Sequence, residues 1–344
     1  MTAKPGKVAL MEFQQMKIRL RRCVIVVLTA MLLFASSPFL PRVSAETKER
    51  IVAVSQFIQH PALDALLRGF MEYFKSRNIP VKYSIHIAQG DPAINQNIAE
   101  QIAREHSDLV LTISTPSSQA CFKTIANTPI VFSAVTDPVG AGLVKSLDNA
   151  GPNITGMTDM SPVDRQFELI KELQPGLKRL GVIYNPKESN SVSLLSIIEK
   201  EGSKQGLELL KRTVADKEEV AAAVRSLVRE CDALYLPTDN TVISAIEVVA
   251  RICGQNRLPL YTADVDSVPR GAIVSLAIDY YVMGRQTASM AERIFDGVPP
   301  ASMPVESLKD LRIHINIKAA EIMGIALPVN LLQAADVIYN SFPP

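Results

Sequence analysis

The 344-residue chain carries 36 Lys and Arg against 35 Asp and Glu, is 47% hydrophobic and contains no Trp. Residues 1–45 hold seven of the basic side chains and one acidic one, so the rest of the chain has 29 basic against 34 acidic groups. That acidic balance excludes the electrostatic footprint nucleic-acid binding requires, and roughly 300 remaining residues are enough for two hydrophobic cores.

At the start of the chain, Lys17, Arg19, Arg21 and Arg22 precede the apolar run Cys23 to Phe34, and Val43-Ser44-Ala45 follows. This is the three-part plan of a secretory signal peptide over residues 1–45. The run is shorter than the ~20 residues a membrane-spanning helix needs, although retention as an anchor stays open. Cys23 follows Leu20-Arg21-Arg22 rather than small apolar residues, which does not fit a lipidated cysteine. A soluble protein is expected, secreted across the cytoplasmic membrane to the periplasm or another extracytoplasmic space. Beyond the leader, the spacing of Cys121, Cys231 and Cys253 fits neither a disulfide framework nor a zinc site. They read as buried small hydrophobes, with one disulfide as the alternative.

From residue 51, short Val- and Ile-rich runs alternate with stretches of helical period, the signature of βαβ units and a parallel sheet. Strands are expected at Ile51–Ile58, Val81–Ala88, Leu109–Ser114 and Pro129–Val135. The helices between them, Pro61–Arg77, Pro92–His106 and Pro116–Ala126, each open on proline, which suits a first helical turn. The plan then repeats, with strands at Arg179–Tyr184, Leu207–Val214, Ala233–Pro237 and Leu258–Ala263 and helices at Ser189–Ser203, Lys217–Glu230 and Thr241–Asn256. Corresponding strands lie roughly 125–130 residues apart, and the segment from Pro129 to Val135 matches that from Pro259 to Val265 in residue type, so two similar lobes are expected. The closing segments are Ala272–Ile278 (strand), Tyr281–Phe295 (helix), Leu311–Ile315 (strand) and Ile317–Gly324 (helix). They are leftover elements that would cross back to complete each lobe.

The fold class is therefore α/β, with two doubly wound parallel-sheet lobes joined by a three-crossing hinge. The crossings are expected near Thr155–Ser161, Asp279–Met283 and Val298–Leu308. One lobe would comprise residues 50–157 plus 281–298, the other 160–279 plus 309–340.

Open parallel sheets bind ligands where the loops after their strands converge with helix N-termini. In the first half, Thr115, Ser117 and Ser118 place hydroxyls at a helix start and suit a carboxylate. In the second half, Glu188, Asp239 and Asp264 suit an ammonium group. A zwitterion held between the two sets, with Asp239 closing on the ammonium, accounts for both. Each of these residues also suits simple helix capping. Phe57, Tyr184, Tyr280 and Tyr281 offer aromatic platforms, and His60 stands at a helix start. There is no G-x-G-x-x-G, Walker A or G-x-S-x-G sequence, and no His/Cys cluster of metal spacing, so neither catalysis nor a cofactor is expected.

The runs His60-Pro61-Ala62-Leu63-Asp64, Val135-Thr136-Asp137-Pro138, Asn153-Ile154-Thr155-Gly156, Val182-Ile183-Tyr184-Asn185, Glu188-Ser189-Asn190-Ser191, Thr238-Asp239-Asn240 and Gly271-Ala272 occur in this order. Over about residues 50 to 340 the chain resembles the ABC transporter substrate-binding family associated with tryptophan and tyrosine uptake. The resemblance implies a type I periplasmic-binding-protein fold, closure of the lobes on an amino acid or related ligand, and ABC permease subunits as partners of a monomer. Carried over position by position, the ligand-binding candidates are Ser55, Thr115, Ser117, Ser118, Asp137, Tyr184, Asn185, Asn190, Asp239, Asn240 and Asp264, to which the aromatic reading adds Phe57. A binding module reporting to a membrane receptor and an α/β enzyme are the alternatives.

Overall fold

The computed structural model describes residues 49–343 together with Met16; the leader read over residues 1–45 otherwise lies outside the described residues. In chain order the first elements are β1 (Arg50–Gln56), α1 (Pro61–Ser76), β2 (Val81–Ile87), α2 (Pro92–Arg104), β3 (Leu109–Ile113), α3 (Thr115–Thr124), β4 (Ile130–Val135) and β5 (Ile154–Thr158). Next come α4 (Val163–Leu173), β6 (Arg179–Tyr184), α5 (Ser189–Lys204), β7 (Glu208–Thr213), α6 (Lys217–Leu227) and β8 (Ala233–Leu236). They are followed by α7 (Asn240–Ile243), α8 (Ile246–Asn256), β9 (Leu260–Thr262), a 3-10 turn over Val265–Arg270 and β10 (Val274–Ala277). The chain ends with α9 (Tyr280–Phe295), β11 (Glu306–Ser307), β12 (Arg312–Asn316), α10 (Ile317–Met323), α11 (Val329–Ala334) and β13 (Val337–Tyr339).

The strands form two sheets, ordered β11-β5-β4-β3-β1-β2 and β13-β12-β10-β9-β8-β6-β7. Every pairing is parallel except that of β10 with β12. Residues of β1, β3 and β4 are buried along nearly their whole length, because helices cover both faces of a parallel sheet. The two orders superimpose: β6, β8 and β9 hold in the second sheet the places β1, β3 and β4 hold in the first. The segments alike in sequence, around β4 and β9, are thus equivalent in position.

Each sheet has its own hydrophobic core. Met283, Ala288, Met290 and Ala291 of α9 belong to the first core although β10, just before them in the chain, belongs to the second. The chain therefore passes between sheets after β5, after β10 and after β11. α9 lies hard against α1: a Cβ on Gly284 would sit 2.0 Å from the Leu66 carbonyl oxygen, and one on Gly69 would sit 2.1 Å from that of Tyr281. Glycine at both contacts permits this approach. Phe70 and Phe74 seal the pair with rings 5.3 Å apart edge to face, each contributing about 2 kcal/mol through burial.

Besides the short β11, α11 and β13, which the sequence did not suggest, three elements differ from the sequence expectation. Ile154–Thr158, part of the first expected crossing, is a strand of the first sheet. Val163–Leu173, not anticipated at all, is a helix buried on Val163, Phe167, Ile170 and Leu173; no side chain caps its start, so the usual start signal is missing. The helix expected over Thr241–Asn256 breaks at Ser244-Ala245, where the Ser244 hydroxyl donates to the Thr241 carbonyl oxygen at 2.7 Å and competes with the helical bonds. Cys121, Cys231 and Cys253 are buried free thiols.

Candidate functional site

A narrow cavity, with about 20 Å³ of free space, lies where the strand ends of the two sheets face each other. Its first wall comprises His60, Ala62 and Leu63 after β1, with Ala134 and Thr136 at the end of β4. Asn190 at the start of α5, Thr238, Asn240 and Ile243 around α7, and Asp264 after β9 form the opposite wall. Asp159 and Tyr280, from the stretches that join the sheets, complete it.

In the order β4-β3-β1 the end of β3 falls between the two halves of the first wall. There Ser114 has φ 81°, and Ala134 beside it on β4 has φ 55°. Two non-glycine residues in the left-handed region at adjacent strand ends are strain of the kind held at binding sites. The Ser55, Ser114 and Thr115 hydroxyls at these ends are buried without a partner, as are His60 Nδ1, Asn190 Oδ1 and Thr238 Oγ1 on the cavity. Such atoms cost about 1–3 kcal/mol each when buried unsatisfied, and the two groups concentrate that cost on one cleft.

The electrostatics are one-sided, since Asp159 and Asp264 line the cavity and no Lys or Arg does. The Asp159 carboxylate accepts from Thr136 Oγ1 at 3.0 Å and from the Tyr280 hydroxyl at 2.7 Å, and burial raises its pKa. Asp264 caps the 3-10 turn, accepting from Ser267 N at 2.8 Å and Ser267 Oγ at 2.7 Å; burial lifts it to about 6. Burial pushes the His60 imidazole down to about 4, opposed by a hydrogen bond with the Asn240 side chain on the facing wall. His60 is therefore neutral near pH 7.

Of the sequence-predicted residues, Asn190, Asn240 and Asp264 line this cavity. Ser55 and Thr115 present free buried hydroxyls at the strand ends. Ser117 is engaged with Asn95 Oδ1 at 3.1 Å, while Ser118 pairs with Thr112 Oγ1 and the Ser114 carbonyl oxygen, both at 2.8 Å. Phe57 and Asn185 line a second, wider part of the cleft, about 280 Å³. Asp137 accepts from Ser193 Oγ at 3.2 Å, a bond across the cleft, and Tyr184 stands half-buried at the end of β6. Asp239, expected to meet the ammonium, stands behind the wall: its carboxylate accepts from Asn185 N and Ser191 Oγ, each at 2.6 Å, and from Val242 N at 2.9 Å. Burial and the neighbouring Glu188 charge raise its pKa. Glu188 stands outside this cavity but lines the wider part of the cleft.

Asp159, Thr136 and Thr238 were not singled out from the sequence. Asp159 follows β5 directly, so the rule that drew attention to strand ends would have found it had that strand been read.

A family model described as ABC transporter substrate binding protein matches residues 51–338. A tyrosine-binding protein from Clostridioides difficile is 33% identical over 85% of this chain and 85% of its own length. The crystal structure of a conserved domain protein from Vibrio cholerae is 41% identical, covers 84% of this chain and 99% of that one, and has a TM-score of 0.82. The structure of an ABC domain in complex with L-Trp from Streptococcus pneumoniae is 30% identical over 84% of this chain and 99% of that one, with a TM-score of 0.81. Solute-binding proteins of far lower identity, such as one at 12% from Agrobacterium vitis with a TM-score of 0.57, share the two-lobed type I periplasmic-binding fold.

Proposed function

Since the chain belongs to the ABC transporter substrate-binding protein family, we propose that it captures a free aromatic amino acid, tyrosine or tryptophan, and delivers it to an ABC permease. The observation that carries this reading is the buried cavity walled by both lobes, acidic at one side and without a cation. An ammonium group fits against Asp159 and Asp264. Each carboxylate has lone pairs beyond those its present donors occupy. The ligand carboxylate fits the end of β3, where the free Ser114 and Thr115 hydroxyls adjoin the N–H groups of the first turn of α3. Ala62, Leu63, Ile243 and Tyr280 supply apolar surface for a ring. Relatives that bind tyrosine and tryptophan support the ring.

Closure of the lobes on the ligand is a hinge motion through the three connecting stretches, driven by contacts that exist only when both walls touch the same molecule. The leader over residues 1–45 supports action outside the cytoplasmic membrane, where this family works. Thermal-shift measurement against L-tyrosine, L-tryptophan and a panel of polyols tests the reading. Ligand at about 100 times its Kd adds about 2.7 kcal/mol; stabilisation by polyols alone refutes it.

A further inference from the structure

We infer that Glu188 is a positioning residue for ligand specificity: it holds Asn190 so that Asn190 Oδ1 faces the cavity as an acceptor, which the amino acid meets with an N–H of its ammonium. This rests on the amino-acid reading above and says which end of the ligand is recognised at this wall, and by what.

Glu188 is almost fully buried, yet no cation pairs with it among the described residues. Donors surround it instead. Its Oε1 accepts from Thr241 N at 3.0 Å and Thr241 Oγ1 at 2.7 Å, and its Oε2 from Asn240 N and Asn190 Nδ2, both at 3.3 Å, as well as from Asn240 Nδ2. An ionised carboxylate accepts only, so it dictates which atom of each amide turns toward it. Asn190 Nδ2 is held besides by the Thr238 carbonyl oxygen at 3.1 Å and by Ser191 Oγ at 3.4 Å. Ser191 gives its own proton to Asp239, which leaves its oxygen free to accept. All three neighbours of Nδ2 are acceptors, so Oδ1 is turned away from them; it is buried, has no partner and belongs to the cavity wall.

One buried carboxylate thus sets which end of the Asn190 amide faces the cavity. A primary ammonium meets that acceptor with one of its N–H bonds, whereas a methylene or an anionic group at that place leaves it buried and unmet.

Calorimetry of L-tyrosine against its deamino analogue, 3-(4-hydroxyphenyl)propionate, tests this on the wild type, Glu188→Gln, Asn190→Ala and the double variant. The wild type should prefer tyrosine by at least about 100-fold, hydrogen bonds from the ammonium to Asn190 and to the cavity carboxylates being in play. Glu188→Gln puts an amide donor among donors and frees Asn190 to turn, so the preference should narrow about tenfold with little change for the deamino analogue. Asn190→Ala should narrow it equally, and the double variant no further than either, as coupled residues do. Equal weakening of both ligands in Glu188→Gln means a structural role alone and overturns the inference. If that variant fails to fold, Asn190→Ala decides, and an unchanged preference there overturns it too. A wild type that binds both compounds alike refutes the inference but leaves the amino-acid reading standing; one that binds neither tyrosine nor tryptophan refutes that reading.

Discussion

Asp159→Asn separates ligand recognition from folding. In the folded protein this carboxylate is enclosed, accepts from Thr136 and Tyr280, and has a pKa raised by burial. The charge is therefore held at a cost to the empty protein, and replacing it with a neutral amide of the same shape removes that cost. One of the two hydroxyl donors keeps its acceptor in Oδ1 of the amide, and Nδ2 can donate to the oxygen of the other. The net effect on unfolding should be less than ~1 kcal/mol. Binding behaves differently. If the ammonium sits against Asp159, the variant loses a charge-assisted hydrogen bond worth about 1.5–3 kcal/mol, which is a Kd roughly 10- to 100-fold weaker. The chain contains no Trp, so L-tryptophan reports its own capture by fluorescence against a background free of that chromophore. The expected pair of results is an unchanged melting curve for the empty variant and a titration displaced by one to two decades. A variant that binds as tightly as the wild type refutes the placement of the ammonium at Asp159.

Asp239→Ala should do the reverse, because its three accepted bonds tie the start of α7 to the loop after β6 and to α5. Loss of the cap and of these bonds should lower the unfolding free energy by about 3 kcal/mol in urea titration. An unaltered midpoint with abolished binding would return Asp239 to the role the sequence suggested. The pH dependence follows from Asp264, whose carboxyl titrates near 6 in the folded chain against about 3.9 unfolded. A raised carboxyl favours the protonated folded form, so its contribution to the empty protein's stability is present at low pH and is lost as pH climbs through about 6. The ionised form that attracts an ammonium appears over that same range, and His60, titrating near 4, stays largely neutral within it. Calorimetry should therefore find affinity several-fold weaker at about pH 5 than at about pH 7.5; equal affinities would remove Asp264 from contact with the charge.

Sequence reading recovered the alternation of strands and helices because each of its cues is local. Pro61 and Pro92 open helices, and the Val- and Ile-rich runs of β1 and β3 on either side of that pair are buried on both faces. β5 escaped because Gly156 interrupts it, and glycine weakens a strand in isolation. Its reason is long-range: a Cβ there would stand 2.0 Å from the Phe132 carbonyl oxygen on β4. The candidate site was legible to the level of the loops that line the cavity and no further. Asp239 and Asp264 look alike in sequence, each opening a short helical turn, and both do cap one. What separates them is whether the carboxylate also reaches the cleft, which depends on how the two sheets face each other. The Glu188 network is invisible for the same reason, since its partners Asn240 and Thr241 lie some fifty residues away.

The hydrogen bond from Tyr280 to Asp159 spans two of the stretches that join the sheets, and both residues also line the cavity. With the proposed hinge motion, the fulcrum and the grip are the same side chains. A change of cargo engineered at this end of the cavity would alter the resting balance between open and shut along with affinity. A sensor made from this chain is better retuned at Ala62, Leu63 or Ile243, on the lobes and clear of the pivot.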